Sequence, residues 1–317
     1  MKILKKSLLK WTTSIIFTLF FIYLLSKVNF VNVLSFFLKL PGRIFFLFIC
    51  LMFISFLAKT YRIYVLNKNI TFLNLLNVSI THNFFLTILP FRLGEITYVT
   101  QLKKQKVKVV KSVSDLVVMR LLDFIILGLF FLTSIFLFSN LASQKTIILA
   151  VLFLIMCSWI FFFPSHIWKT IPKFKIKNKI ALKIIRYILR IHVHLVRLSW
   201  RKRITLLVFS LIIWVASCTP YIILLHSLTN LTISQATIAT LITLISTTLP
   251  LNAPGGMGIV EAGWLIGLAI FKIFGTEAIN LALFLHAMQI LSLTLIFVTS
   301  RIFFLILNYL RKNVNRR

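Results

Sequence analysis

The chain is divided into apolar runs that carry almost no charge and are long enough to cross a lipid bilayer. A helix needs about 20 such residues to span the hydrocarbon core. Inside that core only helices and closed barrels satisfy their own backbone. The clear runs are 8–26, 44–66, 116–138, 146–163, 204–227 and 278–308, the last long enough to tilt or emerge. Of the 317 residues 60% are hydrophobic and 13% charged, against about 45–50% and about 25% in a soluble domain. A water-soluble globular enzyme, a disordered chain and a disulfide scaffold are therefore excluded. The fold class expected is an all-α polytopic membrane protein.

Two further stretches are apolar but interrupted. In 71–101, TFLNLLNVSITHNFFLTILPFRLGEITYVTQ, the run breaks at Pro90. In 232–274 it breaks at Pro250, before PGGMG and a second, shorter apolar run. The Lys/Arg blocks orient the chain, because cytoplasmic loops hold the excess of cations. Lys2, Lys5, Lys6 and Lys10 open it, five lysines follow Gln101, residues 164–203 hold twelve Lys/Arg and no acid, and Arg311, Lys312, Arg316 and Arg317 end it. The poorer loops 27–43, 139–146 and 228–233 carry three, one and no Lys/Arg, and are expected outside. Both termini are then cytoplasmic. Each broken stretch must cross an even number of times, and the simplest solution is a re-entrant hairpin. Taken alone, 71–89 and 232–250 are also long enough for ordinary spans, and that alternative stays open.

About six full spans plus two Pro/Gly-broken hairpins fall into two inverted halves, 1–139 and 140–317, in one transmembrane domain covering 1–317. This is the plan of an inverted-repeat transporter, whose substrate sits near broken helices. Residues 164–203 form a basic linker. Within it Lys179, Lys183, Arg186, Arg190, Arg197 and Arg201 recur at helical steps, which predicts a cationic amphipathic helix on the inner leaflet.

The net charge of +31 comes from 36 Lys+Arg against 5 Asp+Glu. The cations flank apolar runs, so the partner expected is an anionic lipid surface and not nucleic acid. Cys50, Cys157 and Cys218 lie in apolar runs without ligand spacing and read as packed residues. No GxxxxGK[ST], HExxH or Cys/His cluster occurs in the sequence, so no cofactor, no metal and no catalytic residue is expected.

All five carboxylates lie in or near the interrupted stretches. Glu95 follows Arg92 by three residues, and Asp123 follows Arg120 by three, with Asp115 just before. Residues three apart meet on one helix face. Ionised groups in the membrane normally face the protein interior with a partner. Each pair therefore reads either as structural neutralisation or as the wall of a polar cavity. Gly255, Gly256 and Gly258 allow a tight turn, and the helix expected to begin near Gly258 or Ile259 offers N–H groups to an anion. Glu261 follows that turn. His286 sits inside the last run, as a buried hydrogen-bonding residue or a lipid-site residue.

LPFRLGEITYVTQLKKQ…SDLVVMRLLDF and LPLNAPGGMGIVEAGWL resemble the two signature regions of the lysylphosphatidylglycerol synthase transmembrane-region family, also described as flippase-like. Pro90, Arg92, Gly94, Glu95, Arg120 and Asp123 match the first, and Pro254, Gly255, Gly256, Gly258 and Glu261 the second. Members often carry an Arg in the last helical region, where His286 stands here. The resemblance covers about 10–305. It implies a bacterial cytoplasmic-membrane protein that moves or recognises a lipid. The expected function is a flippase-like transporter or facilitator for an anionic phospholipid or a polyprenyl-phosphate-linked headgroup. Arg92, Glu95, Arg120, Asp123, Gly255, Gly256, Gly258 and Glu261 are the substrate-binding residues expected. The two-domain synthases add a soluble aminoacyltransferase domain, which this chain does not show. Lysyl transfer by this chain alone is therefore not expected. An intramembrane transferase using Glu95 or Asp123 as base, and a non-catalytic partner of a separate lipid-modifying synthase, remain the alternatives.

The charge pattern makes a direct prediction. A cysteine replacing Lys177 is labelled only from the cytoplasmic side, and one replacing Asn230 only from outside. Labelling of position 177 in intact cells would reverse the orientation.

Overall fold

The computed structural model describes residues 2–137, 144–162, 191, 193–248 and 253–314. Among them the chain is helical, with no strand. Eleven α-helices are described: α1 (Lys2–Lys27), α2 (Phe30–Lys39), α3 (Gly42–Leu66), α4 (Phe72–Ile88), α5 (Gly94–Lys104), α6 (Val109–Leu137), α7 (Gln144–Phe162), α8 (Trp200–Leu228), α9 (Ile233–Thr248), α10 (Ile259–Ala269) and α11 (Gly275–Val314). Most of the predicted basic helix 179–203, and Pro250, lie outside the described residues.

Four helices are long and apolar enough to cross a membrane: α3, α6, α8 and α11. The α1–α2 pair, bent by 82°, makes a fifth if taken as one span. The apolar part of α7, Ile147–Phe162, is shorter, as are Phe72–Ile88 and Ile233–Thr248. The chain is thus a membrane protein with four to five candidate spans, where the sequence predicts about six.

Helix α2 occupies a stretch read from sequence as an outer loop. Asn29 starts it: its side-chain oxygen accepts from the N–H groups of Val31 (3.1 Å) and Asn32 (3.3 Å). This is the N-cap role that Asn serves well, since those donors have no partner inside the helix. The Asn29 N–H in turn donates to Asn280 Oδ1 at 3.1 Å, tying the bend to α11. Phe36 and Phe37 pack against Phe284.

The chain forms two compact units. One comprises Met1–Phe56, Leu76–Thr97 and Ala216–Arg317; the other comprises Leu57–Leu75 and Tyr98–Val215. Each unit draws on both sequence halves. The core of the first gathers Phe48, Tyr221, Trp264, Leu281, Phe284 and Met288 from α3, α8, α10 and α11. In the second, α6 and α7 pack through Phe124 on Phe153 and Gly128 beside Leu154.

Helices α9 and α10 run antiparallel at close range. Small residues permit it: a Cβ on Gly267 would lie 2.8 Å from the Ala239 backbone, and one on Gly263 would meet Ser246 and the Thr243 backbone. Apolar burial gives little drive between helices in lipid, so van der Waals packing at such close approach helps hold them together.

That contact is testable. Gly267→Ala forces the two backbones apart, at a cost of about 1–3 kcal/mol for overpacking. Gly42→Ala meets nothing within 4 Å. In detergent, Gly267→Ala should lower the thermal unfolding midpoint while Gly42→Ala does not. Equal midpoints would refute the close packing.

Candidate functional site

Both helix breaks place a left-handed pair after a proline. After Pro90, Phe91 (φ 53°) and Arg92 (φ 56°) are left-handed; after Pro254, Gly255 (φ 71°) and Gly256 (φ 76°) are left-handed. In each turn the residue three after the proline closes back on it. Leu93 N–H donates to Pro90 O at 3.0 Å, and Met257 N–H to Pro254 O at 3.3 Å. A glycine follows in both, Gly94 opening α5 and Gly258 preceding α10. The two turns, Pro90–Arg92 and Pro254–Gly256, contact each other within the first unit.

The first turn achieves this shape without glycine. A left-handed conformation costs an L-residue about 1–2 kcal/mol, so Phe91 and Arg92 are held by their surroundings. Gly94 lies directly against the backbone of Phe85 and Leu86, where any Cβ would clash. Its carbonyl accepts from Thr97 Oγ1 at 2.6 Å and from the buried His82 Nδ1 at 3.2 Å. The chain is thereby folded back at the break. Arg92 Nη1 stands 3.8 Å from Glu95 Oε1, and both side chains are partly exposed.

The second turn is closed by side chains. Glu261, fully buried, takes the Gly258 N–H on Oε2 at 2.7 Å. Its Oε1 contacts His286 Nδ1, and His286 Nε2 reaches Gly255 O at 2.9 Å. An acidic side chain thus already occupies the start of α10. Glu261 fixes the turn to α11 and is enclosed by these partners. Gly258 also lies under α1, where a Cβ would come within 2.9 Å of the Phe17 Cβ.

Arg120 and Asp123 belong to the second unit, where they are joined by residues the sequence reading did not single out. Asp123 Oδ1 accepts from Arg62 Nη1 at 2.7 Å and from Trp214 Nε1 at 3.2 Å. Arg120 Nη1 is farther, at 3.5 Å from Oδ2. Arg62 Nη1 also donates to Ser210 Oγ at 3.0 Å. Lys59, one helical turn before Arg62, lies within electrostatic reach of Arg62, Arg120 and Asp123. Two arginines therefore meet one carboxylate, with Lys59 in electrostatic reach. The Arg62 Nε is buried without a hydrogen-bond partner among the described residues. Lys59 and Arg62 stand in an apolar run near no motif. The available signal was their three-residue spacing inside a span, where a charge needs a reason.

A separate polar contact lies nearer the start of α6. The buried Asp115 accepts from Asn67 Nδ2 at 2.8 Å, and His194 Nε2 stands 2.9 Å from its other oxygen. Lys111 Nζ donates to Asn67 Oδ1 at 2.6 Å and to Leu66 O at 3.0 Å. Nearby, Arg203 donates to the carbonyls of Leu195, Leu198, Phe161 and Phe162. It thereby satisfies the carbonyls that end α7.

Of the expected substrate residues, Arg92, Glu95, Gly255, Gly256, Gly258 and Glu261 fall in the first unit, and Arg120 and Asp123 in the second. The three cysteines are free thiols. Among the described residues no group of three His, Cys, Asp or Glu is arranged to hold a metal.

The hierarchy around Asp123 is testable. Removing one partner of a buried pair costs about 3–5 kcal/mol. Arg62→Leu should therefore destabilise far more than Arg120→Leu, which leaves Asp123 with its closer partner. Thermal unfolding in detergent measures both, and equal losses would contradict the geometry.

Neither a curated protein nor a solved structure matches the chain. The family model described as the lysylphosphatidylglycerol synthase TM region matches residues 11–296. That model covers the membrane region of the synthase-related proteins and not a catalytic domain. With nearly the whole length matched and both motif regions inside it, the chain belongs to the lysylphosphatidylglycerol synthase transmembrane-region family.

Proposed function

We propose that this protein is a flippase-like transporter or facilitator for a lipid with an anionic headgroup, a phospholipid or a polyprenyl-phosphate-linked lipid. The carrying observation is the buried guanidinium of Arg62: its Nη1 pairs with Asp123, while its Nε has no hydrogen-bond partner among the described residues. A buried N–H left without an acceptor costs about 1–3 kcal/mol. A phosphate would accept from that N–H and from the neighbouring Arg120 guanidinium. Arg120 and Asp123 would then contact substrate directly.

The paired turns support the same reading. Irregular backbone at membrane depth is tolerated where it is buried in protein or lines a cavity. Strained residues cluster at working sites, and Arg92 is one. Arg92 and Glu95 would contact the headgroup at their turn. Gly255, Gly256 and Gly258 would give the facing turn its shape, with Glu261 holding that shape from inside. This reading places the protein in the bacterial cytoplasmic membrane, with both termini inside and movement that needs no nucleotide.

Reconstitution tests it. Vesicles containing the protein should move a fluorescent phosphatidylglycerol between leaflets. Arg120→Lys and Arg92→Lys should insert normally but lose movement by about 10- to 100-fold, the worth of a charge-assisted hydrogen bond. Glu95→Gln should also impair it. Full activity in an Arg92→Leu/Glu95→Leu double variant would reduce that pair to structural neutralisation. A new covalent lipid product would favour the transferase. Neither movement nor product would favour the synthase partner.

A further inference from the structure

We infer that Glu261 and His286 form a proton-binding site, and that the lipid movement proposed above is coupled to protons through it. This rests on that transport reading for its consequence, but the site itself follows from hydrogen-bond chemistry. His286 Nε2 is 2.9 Å from the Gly255 carbonyl, which can only accept, so Nε2 carries a hydrogen. In a neutral ring Nδ1 is then a bare lone pair. Yet Nδ1 contacts Glu261 Oε1. Two acceptors meet there only if a proton lies between them, on the imidazole or on the carboxyl. Glu261 Oε2 is occupied by the Gly258 N–H at 2.7 Å. The pair therefore holds one proton more than a carboxylate beside a neutral histidine.

Loss of that proton opposes two lone pairs in a site where both residues are buried. The contact between α10 and α11 opens, and the pair changes from neutral to negative. The turn from Gly255 to Gly258 hangs on both residues, so its position follows the proton.

The charged surroundings give the coupling a sign. Helices α9 and α10 carry no titratable residue besides Glu261. On α11, Glu277 lies nine residues before His286 and Arg301 fifteen after, about 13 Å and about 22 Å along the axis. Lys27 ends α1 and Lys39 ends α2. The facing turn carries Arg92, with Glu95 following. Once the proton has left, the negative Glu261–His286 pair repels an anionic headgroup at the turn it holds. Proton binding and anion binding therefore favour each other, and linkage makes the effect reciprocal.

Two measurements test this. In nanodiscs, ¹⁵N spectra of the His286 ring, assigned by its loss in His286→Gln, should show a doubly protonated ring or accompany a protonated-carboxyl infrared band. That signal should titrate, and phosphatidylglycerol should raise its midpoint relative to a zwitterionic lipid. In proteoliposomes, movement of fluorescent phosphatidylglycerol should fall about tenfold for each pH unit above the midpoint, the slope of one proton. A pH gradient should drive it, and His286→Arg should remove the pH dependence. A bare Nδ1 beside an ionised Glu261 at every pH overturns the site. Lipid movement indifferent to pH, or unchanged pH dependence in His286→Arg, overturns the coupling and leaves the transport reading standing. A titrating pair with no lipid movement under any gradient overturns the transport reading and the coupling, and leaves the proton site standing.

Discussion

Backbone polar groups in an apolar interior must find partners within the protein, and this demand shapes the two helix breaks. A proline removes a donor and forces the preceding residue out of the helical region. The chain then has a few residues in which to reverse and restart a helix. Both breaks use the same solution, a left-handed pair after the proline, a closing N–H to the proline carbonyl and a glycine. What differs is the means of holding it. The first turn is held by Gly94 pressed on Leu86 and by His82 and Thr97 on its carbonyl. The second uses glycines for the shape and Glu261 with His286 for the bonds.

The same demand governs the charges. With 5 acidic residues against 36 basic ones, each buried carboxylate is scarce. Asp123 serves Arg62 and Arg120 and accepts from Trp214, Asp115 meets Asn67 and His194, and Glu261 serves a turn and a histidine. Arg203 uses backbone carbonyls instead. Interior cations are thus balanced by few carboxylates and by backbone carbonyls.

The sequence by itself determined the membrane class, the long spans, the positions of both breaks and the two local Arg–acid pairs. These depend on run length, on proline and glycine, and on three-residue spacing, all of which are local properties of a helix. It also named the family, because the motif residues are contiguous. The short helix α2 and its Asn29 cap were hidden in what reads as a loop.

Only the tertiary structure decided partnership. Arg62 lies 61 residues from Asp123 and His286 lies 25 from Glu261, and no spacing rule links residues that far apart. The i,i+3 rule pairs Asp123 with Arg120, yet Arg62 on another helix approaches closer, because a packed helix can aim a guanidinium directly at a carboxylate that its own helix reaches only obliquely. The contact of the two turns likewise depends on how the segments around them pack. Composition fixes which groups need partners, and packing chooses them.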